Sequence, residues 1–378
     1  AHEWKFEKEI KSHHINQKAL TTLTMSFQFN FDDSDLEIES GTLNNTSQPS
    51  YSLSSTALTL NNLSANKPND LIPTGEITVE CLLKTLLNVR LTYSKFPISS
   101  TSFIVRRELY DIRHQIMSES DPTTTEEIVN LDFLDKDDLL RNVYEGGLTT
   151  WECSIDLVKY LDSLNGEIDN NKDIIELGCG TALPSLYLFN QVYLKNSTNT
   201  YNFVLSDYNE YVLRLVTLPN ILINWYDMLS LNPEFKQILD NTQEIKDTIT
   251  ENEFTITQEL IDLFLNDIKS KNINIGFIKG TWSNELIHII NKDLNANERI
   301  ILTSETIYQP DTMPLLTDTL VQLKRSDNDR IVLATKDIYF GVGGNLIDFL
   351  NYLKAFYSDQ YKYEVIKSGT SNRSLVIL

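Results

Sequence analysis

The sequence predicts an α/β fold in which a mainly parallel sheet is covered by helices on both faces. Short apolar segments typical of buried strands alternate with segments of helical periodicity from about residue 132 onwards. Such alternation requires parallel strands that are joined by crossover helices. The last two apolar segments, residues 363–366 and 374–378, lie close enough in sequence to form a hairpin, which predicts one reversed strand at the end of the sheet.

The individual elements follow from this periodicity. Residues 102–117 begin as a strand and continue as a helix, and Leu157, Leu161 and Leu164 recur at helical spacing. The predicted strands of the sheet are residues 174–177, 203–207, 273–278, 300–303 and 331–334. The predicted helices between them are residues 182–194, 210–225, 313–324 and 346–357.

The chain divides into three predicted regions. Residues 1–70 are acidic and then rich in Ser, Thr and Asn, which predicts a mostly disordered tail, and we expect Met25 to be the native start. Residues 71–131 form an N-terminal appendage, and residues 132–378 form the main domain. An acidic insertion at about residues 230–272 interrupts this domain, and we interpret it as surface padding rather than as a cover on the site.

Composition restricts the function classes. The 378 residues are 41% hydrophobic but contain no apolar run long enough for a membrane span and no secretory signal. Cys81, Cys153 and Cys179 lack metal-ligand spacing, so we expect no metal, no disulfide framework and a reducing compartment. The net charge of −21 argues against direct nucleic-acid binding. It suits a basic protein partner, or serves solubility alone.

The strongest local motif is a glycine-rich turn directly after a predicted strand, Glu176-Leu177-Gly178-Cys179-Gly180-Thr181. Glycine is required where the backbone approaches a ligand or adopts positive φ. A dinucleotide fingerprint would place a third Gly or Ala at position 183, where this chain has Leu183. The motif therefore favours a cofactor without pyrophosphate, and it resembles the cofactor loop of S-adenosylmethionine enzymes. The alternative is a purely structural turn.

An acidic residue ends the next predicted strand. Asp207 lies 207 − 180 = 27 residues after Gly180, where a carboxylate can accept hydrogen bonds from both ribose hydroxyls of a nucleoside. Tyr208 and Asn209 would line the same edge. Alternatively, Asp207 or Asn209 only caps the following helix.

Three further segments should reach the same edge, because ligands of open α/β sheets bind at the carboxyl ends of the strands. Gly280, Thr281 and Trp282 follow the third strand, and Trp282 either packs near an adenine or belongs to the core. Ser304, Glu305 and Tyr308 follow the fourth strand, and the glycine-rich residues 339–344 follow the fifth. Turn chemistry and rim packing are the alternatives for each segment.

Together these motifs resemble the eukaryotic histidine protein methyltransferases. The resemblance runs from about residue 106 to residue 378 and rests on E-G-G at 145–147, T-W-E-C-S at 150–154, E-L-G-C-G-T-A-L-P at 176–184, S-D-Y-N-E at 206–210, S-E-T-I-Y at 304–308 and F-G-V-G-G at 340–344. It implies a Rossmann-like, seven-stranded methyltransferase sheet and S-adenosylmethionine as methyl donor. The cofactor contacts it implies, together with those from the motifs, are Thr150, Trp151, Glu152, Cys153, Ser154, Glu176, Gly178, Gly180, Asp207, Tyr208, Asn209, Gly280, Thr281, Trp282 and Ser304.

The resemblance also implies a substrate, a histidine on the large-subunit ribosomal protein called L-three. A role in ribosome biogenesis or translation, a cytoplasmic and nuclear location and a monomeric enzyme are the corresponding expectations. An unperturbed imidazole has a pKa of about 6.5, so an acceptor histidine needs no strong base. Glu305 and Tyr308 are the candidates for orienting it. The chain's own histidines, His2, His13, His14, His114 and His288, lie outside every motif.

Two other functions compete with this interpretation. Lysine methyltransferases of the same fold share the glycine motif and the acidic-x-x-Tyr spacing of Glu305 and Tyr308. A non-catalytic factor that binds a ribosomal protein and keeps a vestigial cofactor pocket would also suit the acidic charge. The intact Gly178, Gly180 and Asp207 count against such degeneration.

Overall fold

The computed structural model describes residues 51–63, 71–99, 102–119, 146–164, 168–195, 197–230, 252–358, 361–368 and 372–378. Its strands are β1 (Gly75–Thr78), β2 (Arg90–Pro97), β3 (Phe103–Arg107), β4 (Lys172–Leu177), β5 (Tyr201–Asp207), β6 (Glu253–Thr255), β7 (Ile273–Lys279), β8 (Glu298–Ser304), β9 (Arg330–Lys336), β10 (Glu364–Ser368) and β11 (Arg373–Ile377).

Helices connect these strands. They are α1 (Val79–Thr85), α2 (Leu109–Glu119), α3 (Glu152–Ser163), α4 (Leu183–Leu194), α5 (Glu210–Val212), α6 (Leu218–Ser230), α7 (Gln258–Ser270), α8 (Asn284–Asp293), α9 (Met313–Leu323) and α10 (Leu346–Tyr357). A π-helical turn, Leu213–Thr217, joins α5 to α6.

The main sheet has eight strands in the order β1-β7-β5-β4-β8-β9-β11-β10. The five central strands, β7, β5, β4, β8 and β9, are parallel, whereas β11 runs antiparallel to β9 and pairs with β10 as a terminal hairpin. The α/β prediction, its five strands and its reversed terminal strand are thus confirmed. The Rossmann-like arrangement of seven strands is present, and β1 adds an eighth antiparallel strand beside β7.

The chain reverses its direction of travel across the sheet at β4. From β4 it proceeds to β5 and β7 on one side, and then crosses over to β8 and β9 on the other. The crevice outside the carboxyl end of β4 is therefore the position at which open α/β sheets bind ligands. The glycine-rich turn of residues 178–180 occupies this position.

Alternate residues of the central strands supply two separate cores, one on each face of the sheet. Ile174 of β4 packs in the larger cluster, with α1, α3, α4, α6 and α7. Its neighbour Ile175 packs in the second cluster, with α8, α9 and α10. Burial on both faces explains why the central strands are continuous apolar runs without the alternation of a half-exposed strand.

The region expected as an appendage is joined to the main domain by strand pairing. Besides β1 in the main sheet, β2 pairs with β3 and with β6 in a small three-stranded antiparallel sheet. β6 and α7 belong to the expected insertion, and Leu260, Ile261 and Phe264 of α7 are buried in the larger core. The described part of this segment therefore packs as an integral layer of the fold.

Part of the expected tail also lies on the domain. Residues 51–63 contact α9 and its preceding turn, and Ala57 and Leu60 are buried there. Met25, the rest of residues 1–50, the loop around Pro122 and Glu145 lie outside the described residues. In the described part of the chain no helix is long and apolar enough to cross a membrane.

Candidate active site

A pocket of about 1020 Å³, including its open mouth, lies at the carboxyl ends of β4, β5, β7 and β8. Several predicted site residues line it: Trp151, Ser154, Gly178, Gly180, Asp207, Tyr208, Gly280, Thr281, Trp282, Ser304, Glu305 and Tyr308. The glycine-rich turn, the acidic residue after β5 and the two segments after β7 and β8 therefore meet at one site.

Five other predicted residues do not line this pocket: Thr150, Glu152, Cys153, Glu176 and Asn209. Thr150 donates a hydrogen bond to the hydroxyl of Thr181, with 3.3 Å between the oxygens. The exposed Glu152 carboxylate lies 3.2 Å from the Arg373 guanidinium, and the main-chain N–H of Asn209 donates to Asp207 at 3.1 Å. Thr150 and Asn209 are thus hydrogen-bonded to residues that line the pocket.

The glycine-rich turn has no room for side chains. Gly178 has a φ of 63°, in the left-handed region, and a Cβ there would lie 2.5 Å from Cγ2 of Thr306. Gly180 has a φ of 50°, and its Cβ would lie 3.2 Å from the carbonyl oxygen of Gly147. The turn therefore exposes bare backbone to the pocket, as a ligand that lies against main-chain groups requires.

The buried carboxylate of Asp207 organises this turn. Its Oδ2 accepts a hydrogen bond from the N–H of Gly180 at 3.0 Å, and its Oδ1 accepts from the N–H of Asn209. Burial raises the pKa of Asp207 to about 6, and the backbone hydrogen bonds oppose that rise. The side chain both fixes the glycine turn and lines the pocket, so ribose binding and turn fixation are compatible roles.

Glu176 lies one strand position behind the turn and is fully buried. Its Oε2 accepts hydrogen bonds from the N–H of Ser185 at 3.0 Å and from the Ser185 hydroxyl at 2.5 Å. Desolvation raises the pKa of Glu176 to about 8, with a further contribution from the charge of Asp207. This side chain connects the end of β4 to the first turn of α4.

Trp151 and Glu305 position the start of α3 against the pocket. The Trp151 indole N–H donates to the carbonyl oxygen of Gly146 at 2.8 Å, which closes the turn that precedes the helix. Glu305 Oε1 accepts from the N–H of Cys153 at 3.1 Å, and its Oε2 lies 3.7 Å from the Lys336 ammonium. Glu305 thus supplies an acceptor to a helix N-terminus whose own N-cap, Trp151, makes no side-chain capping bond.

The glycine-rich loop after β9 lies beside the segment that follows β8. The N–H of Gly344 donates to the carbonyl oxygen of Tyr308 at 2.9 Å, and the Tyr308 and Tyr339 rings lie 6.3 Å apart. A Cβ at Gly344 would lie 2.1 Å from the carbonyl oxygen of Ile307, so this close approach requires glycine. Phe340 at the tip of the loop is 80% exposed.

Sequence reasoning did not select several residues that line the pocket: Leu58, Leu71, Gly146, Gly147, Thr149, Cys179, Thr181, Thr306, Gln309, Thr312 and Leu315. Gly146, Gly147, Cys179, Thr181 and Thr306 lie inside the quoted motifs, although no ligand contact was assigned to them. Thr149 and Gln309 adjoin a motif, whereas Thr312 and Leu315 lie four and seven residues after Tyr308. Leu58 and Leu71 carried no such signal, because Leu58 lies in the predicted tail and Leu71 at the start of the predicted appendage, where the sequence shows no ligand motif.

The pocket suits a nucleoside that carries an amino-acid group. Bare glycine backbone faces one part of it, and the buried Asp207 carboxylate is available to hydroxyl donors. Trp282, Leu58 and Leu71 add apolar surface of the kind that a purine ring contacts. The residues present therefore fit S-adenosylmethionine.

Comparison with known proteins identifies relatives of the chain. Histidine protein methyltransferase 1 of Saccharomyces cerevisiae is 38% identical over 283 residues, which are 72% of this chain and 74% of that protein. Histidine protein methyltransferase 1 of Schizosaccharomyces pombe is 34% identical over 291 residues, or 76% of this chain and 80% of that protein.

Two other comparisons add little. No family model matches the chain. Among solved structures, the rRNA methyltransferase aviRa from Streptomyces viridochromogenes covers 61% of this chain and 88% of its own, at 11% identity and a TM-score of 0.34.

Proposed function

The chain belongs to the histidine protein methyltransferase 1 family, and from this membership we propose that it transfers a methyl group from S-adenosylmethionine to a histidine of another protein. The observation that carries the proposal is the convergence of the glycine-rich turn and Asp207 at the carboxyl end of β4, where the sheet order reverses. This is where an open α/β sheet binds a nucleoside cofactor.

Different residues of the pocket are proposed to bind different parts of the donor. The backbone at Gly178 and Gly180 would hold its amino-acid part, and Asp207 would accept hydrogen bonds from its ribose hydroxyls. Trp282 offers a ring to the adenine. When bound, S-adenosylmethionine supplies an electrophilic methyl group.

The acceptor imidazole needs orientation more than activation. Its unperturbed pKa is about 6.5, so one ring nitrogen carries a free lone pair at neutral pH. Glu305 and Tyr308 line the pocket and are the candidates for accepting a hydrogen bond from the other ring nitrogen. Alignment of the acceptor and exclusion of water are then the main sources of rate enhancement.

We further propose a ribosomal protein of the large subunit, of the L-three type, as acceptor, with a role in ribosome biogenesis or translation in the cytoplasm and nucleus. The support is the family resemblance and the net charge of −21, which favours association with a basic protein.

The test is transfer of labelled methyl groups from S-adenosylmethionine to large-subunit proteins from cells that lack this enzyme. We expect one labelled protein, which releases methylhistidine on hydrolysis. The matched control is Gly178→Arg, which places a side chain where even a Cβ meets Thr306, and should abolish labelling. Methyllysine would instead support a lysine methyltransferase, and donor binding without any label would support a non-catalytic binding factor.

A further inference from the structure

Two stretches of the N-terminal region form part of the pocket wall. We call residues 51–63 and 71–74 together the N-terminal strap. Leu58 and Leu71, one from each stretch, line the pocket with the glycine-rich turn and Asp207. Both leucines are half-buried, so their side chains retain surface that a ligand can cover.

The second stretch is attached to the ends of β5 and β7. The N–H of Ile72 donates to the Tyr208 hydroxyl at 3.2 Å. The Ile72 carbonyl oxygen accepts from the N–H of Thr281 at 3.0 Å and from the Thr281 hydroxyl at 2.8 Å. The Thr74 hydroxyl in turn donates to the Thr281 carbonyl oxygen at 2.7 Å.

Gly280 shows how closely this stretch approaches the sheet edge. Its φ is 95°, and a Cβ there would lie 2.3 Å from the carbonyl oxygen of Pro73. Glycine is therefore required at position 280 for the close approach of the strap, whatever its role towards the donor.

The first stretch is attached to the start of α9. The N–H of Leu58 donates to the Asp311 carbonyl oxygen at 2.7 Å, and the Thr56 hydroxyl donates to the Asp311 carboxylate at 2.7 Å. The N–H of Leu60 donates at 3.1 Å to Asp318, a buried carboxylate that also accepts from the hydroxyls of Tyr352 and Tyr357. A buried carboxylate with a bond to the strap indicates a specific docking position.

We propose that the N-terminal strap is part of the donor site, and that Leu58 and Leu71 bind the adenosyl half of the donor. Tyr208 follows the proposed ribose ligand Asp207, and Thr281 precedes Trp282, so the second stretch of the strap is attached at the nucleoside end of the pocket. Tyr208 and Thr281 are positioning residues that act through the strap backbone. The inference rests on the proposed function, because it assigns residues to the same donor.

The direct test is calorimetric titration of the full chain with S-adenosylhomocysteine. The variant Leu58→Ala with Leu71→Ala should raise the Kd roughly tenfold or more, because it removes apolar surface from the nucleoside contact. The matched control is Leu53→Ala, which truncates an exposed leucine of the same strap that does not line the pocket and should leave the Kd unchanged. The donor-free double variant should keep a single cooperative melting transition, which shows that the chain still folds.

A second measurement needs no substitution. Amide hydrogen exchange at Leu58, Leu60 and Ile72, all hydrogen-bonded through the strap backbone, should slow when S-adenosylhomocysteine is added. If the double variant fails to fold, the change in amide exchange of the unmodified chain still tests whether the donor contacts the strap. An unchanged Kd in a folded double variant, or unchanged exchange at these amides, would overturn the inference while leaving the proposed function intact. Failure of the unmodified chain to bind S-adenosylhomocysteine would overturn the proposed function itself.

Discussion

The carboxylate of Asp207 has two roles, one in the structure of the turn and one in the proposed binding of the donor. It holds the glycine-rich turn through the N–H of Gly180, and it lines the pocket as the proposed acceptor for the ribose hydroxyls. Burial raises the pKa of this carboxyl to about 6, which is close to neutral pH. The affinity for the donor should therefore depend on the ionisation state of Asp207, and this dependence can be measured.

We predict that affinity for S-adenosylhomocysteine is constant above about pH 7 and falls as the pH drops through 6. The ionised carboxylate can accept both hydroxyls, so a proton competes with the ligand and lowers affinity by roughly tenfold per pH unit well below the pKa. Calorimetric titrations across pH 5 to 7.5 measure this dependence.

Two matched variants isolate the responsible group. Asp207→Asn should bind weakly with no slope in this range, whereas Glu176→Gln should keep the slope, because it leaves the Asp207 carboxyl in place. A flat affinity profile for the unmodified chain from pH 5 to 7.5 would contradict a ribose ligand whose carboxyl titrates near 6.

At the scale of the element, Glu305 joins the end of β8 to the start of α3. Its backbone has a φ of 55°, in the left-handed region that is unfavourable for a residue with a side chain. This conformation accompanies a carboxylate that accepts from the Cys153 N–H and faces Lys336. Glu305 therefore has a structural role besides its proposed role in orienting the acceptor.

Comparison of two substitutions separates these roles. Glu305→Ala should lower the free energy of unfolding by about 1 kcal/mol, the usual cost of a lost N-terminal helix cap. Glu305→Gln keeps a hydrogen-bond acceptor for the Cys153 N–H, so it should lower the free energy of unfolding by less. If Glu305 also orients the substrate histidine that accepts the methyl group, Glu305→Gln should reduce kcat roughly tenfold or more at unchanged donor affinity. Urea denaturation and steady-state kinetics supply the two values. Full turnover in both Glu305→Gln and Tyr308→Phe would leave neither residue with the orienting role.

The sequence predicted the elements that carry their own signal. The central strands are continuous apolar runs because both faces are buried, and the glycine-rich turn requires glycine at Gly178 and Gly180. Residues 51–63 and 71–74 gave no such signal, because they are held by isolated hydrogen bonds to distant residues such as Asp311 and Thr281, which no local periodicity encodes. The β1–β7 pairing is equally non-local, and it was missed for the same reason.

Some residues were predicted to contact the donor only because they adjoin others in a motif, and they do not line the pocket. Glu152 and Cys153 adjoin Trp151 in the motif, but they do not line the pocket, because successive residues of α3 occupy different faces of the helix. Glu176 is separated from the pocket by one strand position and serves Ser185 instead. Whether these residues affect donor binding through their neighbours stays a prediction.

At the scale of the whole molecule, the net charge of −21 should attract the basic acceptor protein that we propose. Long-range attraction between an acidic enzyme and a basic protein is screened by salt, since the Debye length falls from about 10 Å at 0.1 M to about 3 Å at 1 M. The proposed acceptor should therefore be methylated with a kcat/KM that declines as salt rises.

Donor affinity provides the internal control for this salt effect. The Kd of S-adenosylhomocysteine should change much less over the same salt range, because the ligand is held within the pocket by short contacts. Steady-state kinetics and calorimetry at matched salt concentrations compare the two. Equal salt dependence of both quantities would contradict a long-range role for the charge.

The most direct test of the central claim is to locate the transferred methyl group at the level of a single residue. The full chain is incubated with deuterium-labelled S-adenosylmethionine and large-subunit ribosomal proteins from cells that lack the enzyme, and the acceptor peptide is fragmented by mass spectrometry. We predict a deuterated methyl group on one histidine ring, absent when Gly178→Arg replaces the unmodified chain. A label on lysine, or no label from a chain that binds the donor, would contradict the assignment as a histidine methyltransferase.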